Sequence, residues 1–340
     1  MLQAGKLFAA LSCIAVALFT ASANAQHGDR GGSDVTILVG FAPGTNYDAW
    51  GRVIGRHIKK HLPGSPTIVI QNMPGAGSFS AANRLFNNSP KDGTIFGLIA
   101  RDAPLGPLTG AEGARFDATK FSWLGTPTLE TNVCVAMSKP AVKVKRVEDL
   151  LQHELIIGST GAGTGTNLYP KVLSGLLGLK FKQITGFPAS SDILLAMERG
   201  EVDGVCDSLD NIANKRPDWI TEKKINILFQ GPASTERSVP DVPSVLQLAR
   251  TADEKSAIQF LYAGQALGRP FVAPPDLPPA TLKALRAAFA ATMKDPEFIA
   301  DVESQKLFLA PSPGEELEAV IKQTYATPKT VIEKIGALAK

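Results

Sequence analysis

The sequence predicts an α/β fold in two lobes, and three observations predict it. Apolar runs of strand length alternate with stretches of helical period along most of the chain. Four strand-to-helix turns, 41–47, 74–80, 159–166 and 186–191, are built largely of Gly, Ala, Ser, Thr, Pro and Asn, two in each half of the chain. Just over three hundred residues follow an N-terminal leader, the usual size of two domains.

In the leader, Lys6 is the only charge ahead of an apolar stretch, Leu7 to Thr20, and Ala23-Asn24-Ala25 supplies the small residues of a signal-peptidase site. The stretch is shorter than the ~20 residues of a spanning helix. Residues 1–25 are therefore expected to be a secretory signal, cut after Ala25 to leave an exported chain not embedded in the membrane. Cys13 lies within it. The remainder balances Lys+Arg against Asp+Glu, with no basic block and so no nucleic-acid footprint. Hydrophobic residues, 44% of the chain, suffice for two cores.

Val35–Val39 reads as the first strand. After the turn 41–47, Asp48 opens a helix with Trp50, Val53, Ile54, Ile58 and Leu62 on one face. Thr67–Ile70 reads as a buried strand. It runs into Gln71-Asn72-Met73-Pro74-Gly75-Ala76-Gly77-Ser78-Phe79-Ser80, where Ser78 or Ser80 is expected to cap the next helix. Asp92-Gly93 turns into a third strand, 94–100. A second set starts near Thr126, with strands at 133–137, 154–158, 181–185, 202–206 and 225–229 and helices near 168–177 and 192–199. This alternation predicts parallel sheets with helices on both faces. Beyond it, prolines at 240, 243, 270, 274, 275, 278 and 279 mark a loop-rich region, and amphipathic helices near 280–293 and 314–325 close the chain. Cys134 and Cys206 each sit in a strand-like run. Export permits a disulfide between them, and two buried thiols is the equal alternative.

A glycine-rich turn that opens a helix offers free N–H groups and the positive end of a dipole, a cradle for a small anion. In open α/β sheets ligands bind where such turns lie, at the carboxyl ends of the strands. If the halves face each other, the four turns, Phe187 among them, line one cleft. Tyr47 and Phe79 are candidate apolar walls, with ordinary packing the equal alternative. Arg101, ending the third strand, pairs either with an anion or with neighbouring Asp102. Asp48 supports its helix start, and Asp207, at a strand end, is a candidate acceptor. Enzyme chemistry lacks its parts. Thr164 stands where a P-loop needs lysine, and Gly161-Ala162-Gly163-Thr164-Gly165 lacks dinucleotide spacing. No Gly-x-Ser-x-Gly elbow occurs. His57 and His61 are four apart on a helix but have no acidic ligand nearby in sequence. No enzyme activity, cofactor or metal is expected.

These motifs resemble those of the tripartite tricarboxylate transporter substrate-binding proteins, the Bug family of solute receptors. The resemblance rests on Phe41-Ala42-Pro43-Gly44 with Asp48, on Gln71-Asn72-x-Pro74-Gly75-Ala76-Gly77-Ser78, and on Asp92-Gly93. Gly158-Ser159-Thr160-Gly161-Ala162-Gly163-Thr164, Gly200-Glu201-Val202-Asp203 with Asp207, and Val239-Pro240-Asp241-Val242-Pro243-Ser244 extend it. It implies a periplasmic-binding-protein type II fold, two α/β lobes joined by two crossovers around an interlobe cleft. Lobe 1 would take 34–125 plus 231–340, and lobe 2 would take 126–230. It implies a monomeric periplasmic receptor that hands a small organic acid to membrane transporter subunits. It also implies ligand contacts from Ala42, Gly44, Thr45, Asn46, Tyr47 and Asp48, from Gly75, Ala76, Gly77, Ser78 and Phe79, from Thr160, Gly161, Gly163 and Thr164, and from Asp207. The sequence departs from the family pattern at Thr45-Asn46, Gly186-Phe187-Pro188 and Arg101. Two alternatives stand beside this reading. A periplasmic serine hydrolase would need a histidine near Ser78, Ser159 or Ser190. A ligand-sensing receptor would act through a signalling partner.

Overall fold

The structure, a computed structural model, describes residues 34–232, 239 and 241–340. The expected signal at 1–25 lies outside the described residues. The first lobe opens with β1 (Val35–Val39), α1 (Asn46–Ile58), β2 (Ile68–Asn72), α2 (Phe79–Asn87), β3 (Ile95–Leu98), α3 (Leu105–Thr109) and β4 (Ser122–Thr126). The second holds β5 (Asn132–Met137), β6 (Leu155–Ser159), α4 (Gly165–Leu177), β7 (Phe181–Thr185), α5 (Ser190–Arg199), β8 (Gly204–Ser208), α6 (Leu209–Lys215), α7 (Pro217–Thr221) and β9 (Ile225–Gln230). Then follow α8 (Ala252–Leu261), β10 (Phe271–Ala273), α9 (Pro279–Thr292), α10 (Pro296–Ser304), β11 (Ser312–Pro313), α11 (Gly314–Tyr325) and α12 (Lys329–Ala339).

The strands form two sheets, ordered β11-β4-β10-β3-β1-β2 and β7-β6-β8-β5-β9. Both are mixed, a correction to the parallel sheets expected. β1, β2 and β3 run parallel, as do β6, β7 and β8. β10 runs antiparallel to β3 and β4, and β5 antiparallel to β8 and β9. The reversed strands β5 and β10 are those that the chain enters directly from a crossing between the lobes. β2 is also not buried. It lies at a sheet edge, and Val69 is 42% exposed.

Strand alternation divides the first lobe's core. Ile37 and Val39 face Trp50, Val53, Ile54 and Phe289 on one side of the sheet, while Leu38 faces Leu85, Ile99 and Trp123 on the other. The second lobe has one continuous core around β5, β6, β8 and α4. Cys134 and Cys206 are direct cross-strand partners on β5 and β8 and are joined by a disulfide.

The late chain differs from expectation. α9 and α11 pack on β4 in the first lobe, and α8, α10 and α12 had no counterpart in the sequence reading. Ile258 and Leu261 of α8, with Val331 and Ile335 of α12, join the second lobe's core, so 231–340 does not belong wholly to the first. α12 packs on α3, α4 and α8 together, a third passage between the lobes. Its small residues allow the approach: a Cβ on Gly336 would sit 2.9 Å from the Thr109 carbonyl oxygen.

Candidate ligand cleft between the lobes

The four turns converge on one cavity of about 240 Å³, the share of about eight liquid waters. In the first turn, Thr45 caps α1 by accepting from the Asp48 N–H at 3.2 Å, so the helix starts two residues before Asp48. The Asp48 carboxylate accepts from Gly44 N at 2.8 Å, from Arg52 at 3.0 Å and from Asn72 at 2.9 Å. These donors hold its pKa below the usual carboxylate range although burial opposes them.

The second turn is a run of positive φ: Gly75 at 144°, Ala76 at 47°, Gly77 at 62° and Ser78 at 80°. For Ala76 and Ser78 this backbone costs on the order of 1–2 kcal/mol each, strain of the kind that collects at binding sites. Ser78 does not cap α2, because its left-handed backbone turns the side chain away. Its hydroxyl instead accepts from Ala100 N at 3.0 Å, tying the turn to the end of β3. The third turn carries a hydroxyl cluster: Thr160, Thr164 and Thr166 bond one another at 2.7–3.0 Å.

The lobes touch through these turns. A Cβ on Gly77 would lie 2.5 Å from the Ala162 carbonyl oxygen, and one on Gly163 would lie 3.0 Å from the Phe79 ring. Lys215, at the end of α6, reaches the Gly44 carbonyl at 3.5 Å.

Fourteen expected residues line the cavity: Ala42, Gly44, Thr45, Asn46 and Tyr47, Gly75 through Ser78, Arg101, Thr160, Gly161, Thr164 and Asp207. Four do not, for separate reasons. Asp48 is turned inward to organise its own loop. Phe79 is buried against Gly106, Gly163 and Phe116, and Gly163 is the surface it packs on. Phe187 packs on the second lobe's core, leaving Pro188 to Ser191 at the cavity.

The floor was not foreseen. Arg101 and Arg269 share the carboxylate of Glu130, and all three side chains are almost fully buried. The Arg269 guanidinium also lies 3.9 Å over the Tyr47 ring, which stacks on Phe41. Arg101 pairs within the protein: its close partner is Glu130, which the sequence did not suggest, and Asp102 lies 3.7 Å from its Nε. Tyr169 of the second lobe donates to Asp102 at 2.6 Å. Burial pushes the Asp102 carboxyl above its ordinary value, with Arg101 pulling the other way. Asp207 is likewise raised by burial, against its bonds from Ser208 N and Asn211. Sequence held one signal for Arg269: a lone charge, between Gly268 and Pro270, at the entry to the apolar run 271–273. Asn211 and Lys215 had none.

Among the described residues no histidine lines the cavity. His57 bonds Asp301 of α10 and His61 bonds Asp295, the N-cap of α10, each at 2.9 Å, so acids absent from the local sequence are supplied by the fold. The Lys60 ammonium lies 2.5 Å from Asp295 and 2.9 Å from Glu297, the space an ion would take between them.

Two α/β lobes that close loop tips over a cavity define the type II periplasmic-binding-protein fold. A model of the tripartite tricarboxylate transporter family receptor matches residues 51–337, and the chain belongs to that family. It is 23% identical to a UPF0065 protein of Bordetella pertussis, over 97% of this chain and 98% of that one. Among solved structures, the periplasmic binding protein BugD superposes with a TM-score of 0.64 at 18% identity, covering 89% of this chain and 97% of that one. MatC from Rhodopseudomonas palustris with bound malate gives 0.62 at 21%, covering 90% and 99%. A second R. palustris protein, with adipate, gives 0.64 at 17%, covering 89% and 97%. These likenesses describe the fold. No helix of the described residues is long and apolar enough to cross a membrane.

Proposed function

We propose that this chain is a monomeric periplasmic receptor that captures a small organic carboxylate between its lobes and delivers it to a membrane transporter. One observation carries the reading. Donor-rich turns from both lobes meet on a single small cavity whose floor holds two buried guanidiniums. That chemistry suits a carboxylate, which takes charge-assisted hydrogen bonds from N–H, hydroxyl and guanidinium donors. The malate and adipate bound by structural relatives support the same ligand class. Closure follows if the ligand binds the closed form better than the open one. A serine hydrolase finds no support, because among the described residues no histidine stands beside the serines at the cavity.

The test is thermal denaturation of the exported chain against di- and tricarboxylates, aromatic acids and amino acids. At least one acid is expected to raise Tm saturably, by ligand linkage. Mass spectrometry of any small molecule released on denaturation supplies candidates. A flat response across the whole panel would overturn the proposal.

A further inference from the structure

We propose that Lys215 is the specificity-determining residue of the cleft. Its ammonium is the charge that the second lobe brings to a ligand held in the first lobe's turns, and it makes the closed cleft select an anion. The inference rests on the carboxylate-receptor reading above and assigns the residue that decides it.

α6 presents one face to the cavity. Asn211 and Lys215, four residues apart on that helix, both line it, and Asp207 lines it from β8 just ahead. Asn211 is engaged within the protein, because its amide donates to the Asp207 carboxylate. Lys215 is not. Among the described residues its ammonium has no carboxylate partner, and its one contact is the Gly44 carbonyl of the opposite lobe, at 3.5 Å, longer than a good hydrogen bond. An ammonium has three donors and a full charge, and a half-buried one gains from an anion brought beside it.

The charges around the cavity single this residue out. Arg101, Arg269 and Lys215 stand against Glu130, Asp102 and Asp207, three against three. Both guanidiniums are matched inside the floor, by Glu130 and, for Arg101, by Asp102 as well. Only Lys215 is uncommitted. Without it the set is one charge negative and repels an anion.

Its place adds a consequence for closure. The Gly44 N–H is held by Asp48 at 2.8 Å, so the peptide that faces Lys215 is fixed on the first lobe. Lys215 stands on one lobe and turns 41–47 and 74–80 on the other, so it meets a ligand held there only when the lobes are together. A contact made only in the closed form favours that form. A lysine is a point charge on a long stem, so it demands a negative group at the mouth without prescribing the rest of the acid.

Calorimetric titration of the exported chain with succinate, glutarate and benzoate, at about 20 and about 200 mM salt, tests this. Lys215→Met keeps the stem and drops the charge. It is expected to bind the best of these acids about tenfold more weakly at low salt, the order of one charge-assisted bond, and to lose less affinity than the unaltered chain as salt is added. Lys215→Gln still offers a donor to the Gly44 carbonyl and is expected to bind as weakly as the Met variant. Lys215→Arg is expected to bind within about threefold of the unaltered chain. A Met variant with unaltered affinity or unaltered salt dependence overturns the inference and leaves the receptor reading standing. So does a Gln variant that restores binding, or an Arg variant as weak as Met. A chain that binds none of the panel in this assay or in the wider screen overturns the receptor reading and this inference with it.

Discussion

The rim of the cleft and its floor are built from different materials. The rim turns 41–47, 74–80 and 159–166 contain no charged side chain, and their polar groups are backbone amides, hydroxyls and the Asn46 carboxamide. The floor places two guanidiniums and two carboxylates, nearly dry, beside the crossings between the lobes. Backbone dipoles at the rim can meet any carboxylate without the cost of desolvating a charge. Charges at the floor are costly to bury and tolerable only when matched, so they are sensitive to what enters.

The largest expected effect comes from unbalancing the floor. Glu130→Gln leaves Arg101 and Arg269 facing each other with no carboxylate between them and is expected to cost about 3–5 kcal/mol. Denaturant unfolding measures it, and a loss below about 1 kcal/mol would show that the floor is already hydrated. Next is the disulfide behind the floor. Cys134→Ala/Cys206→Ala frees a loop of 72 residues and is expected to cost about 2–4 kcal/mol, or less if sheet pairing already holds β5 to β8. Thermal unfolding with and without reductant reads the difference.

The rim is tested by a matched pair of glycines. Gly77→Ala and Gly44→Ala both place a side chain at positive φ, but only a Cβ on Gly77 meets the opposite lobe, while nothing lies within 4 Å of a Cβ on Gly44. Gly77→Ala is expected to weaken binding of a carboxylate probe about tenfold more than Gly44→Ala, through an interlobe clash of about 1–2 kcal/mol. Equal losses would mean that backbone strain, not lobe contact, governs the rim.

The smallest effect lies outside the cleft and serves as a control. The Lys60 ammonium, aided by His61 and the Glu297 N–H, holds the Asp295 carboxyl well below its ordinary value against burial. A depressed acid stabilises the fold fully above its unfolded value near 3.8 and loses that contribution as pH falls towards the depressed one. Asp295→Asn is expected to lower Tm at neutral pH by about 2 °C or less, and by progressively less between about pH 4 and pH 2. Its affinity for a carboxylate probe stays unchanged. A change in affinity would tie the α1–α10 contact to the cleft.

Much of the rim was legible in the sequence because its residues are local signals. Glycine, proline and capping residues mark turns wherever they stand, and Gly75, Gly77 and Thr45 do in the fold what their types suggest. The failures at the rim are failures of direction. Ser78 and Phe79 occupy the expected segments, but their side chains serve the loop or the core, whereas Asp48 supports its helix start as its position suggested. The acids beside His57 and His61 went unseen for another reason: they stand more than two hundred residues away in sequence.

By itself the sequence determined eight of the eleven strands among the described residues, the four turns and the absence of catalytic motifs, because periodicity and turn chemistry act over a few residues. Tertiary structure alone decided that β5 and β10 run backwards and that α12 spans the lobes. It also joined Cys134 to Cys206 and brought Arg101, Glu130 and Arg269 together. The physical reason is range. A turn is set by its own φ and ψ, whereas a buried ion cluster forms only when distant segments meet where water is excluded, and no local pattern encodes that meeting.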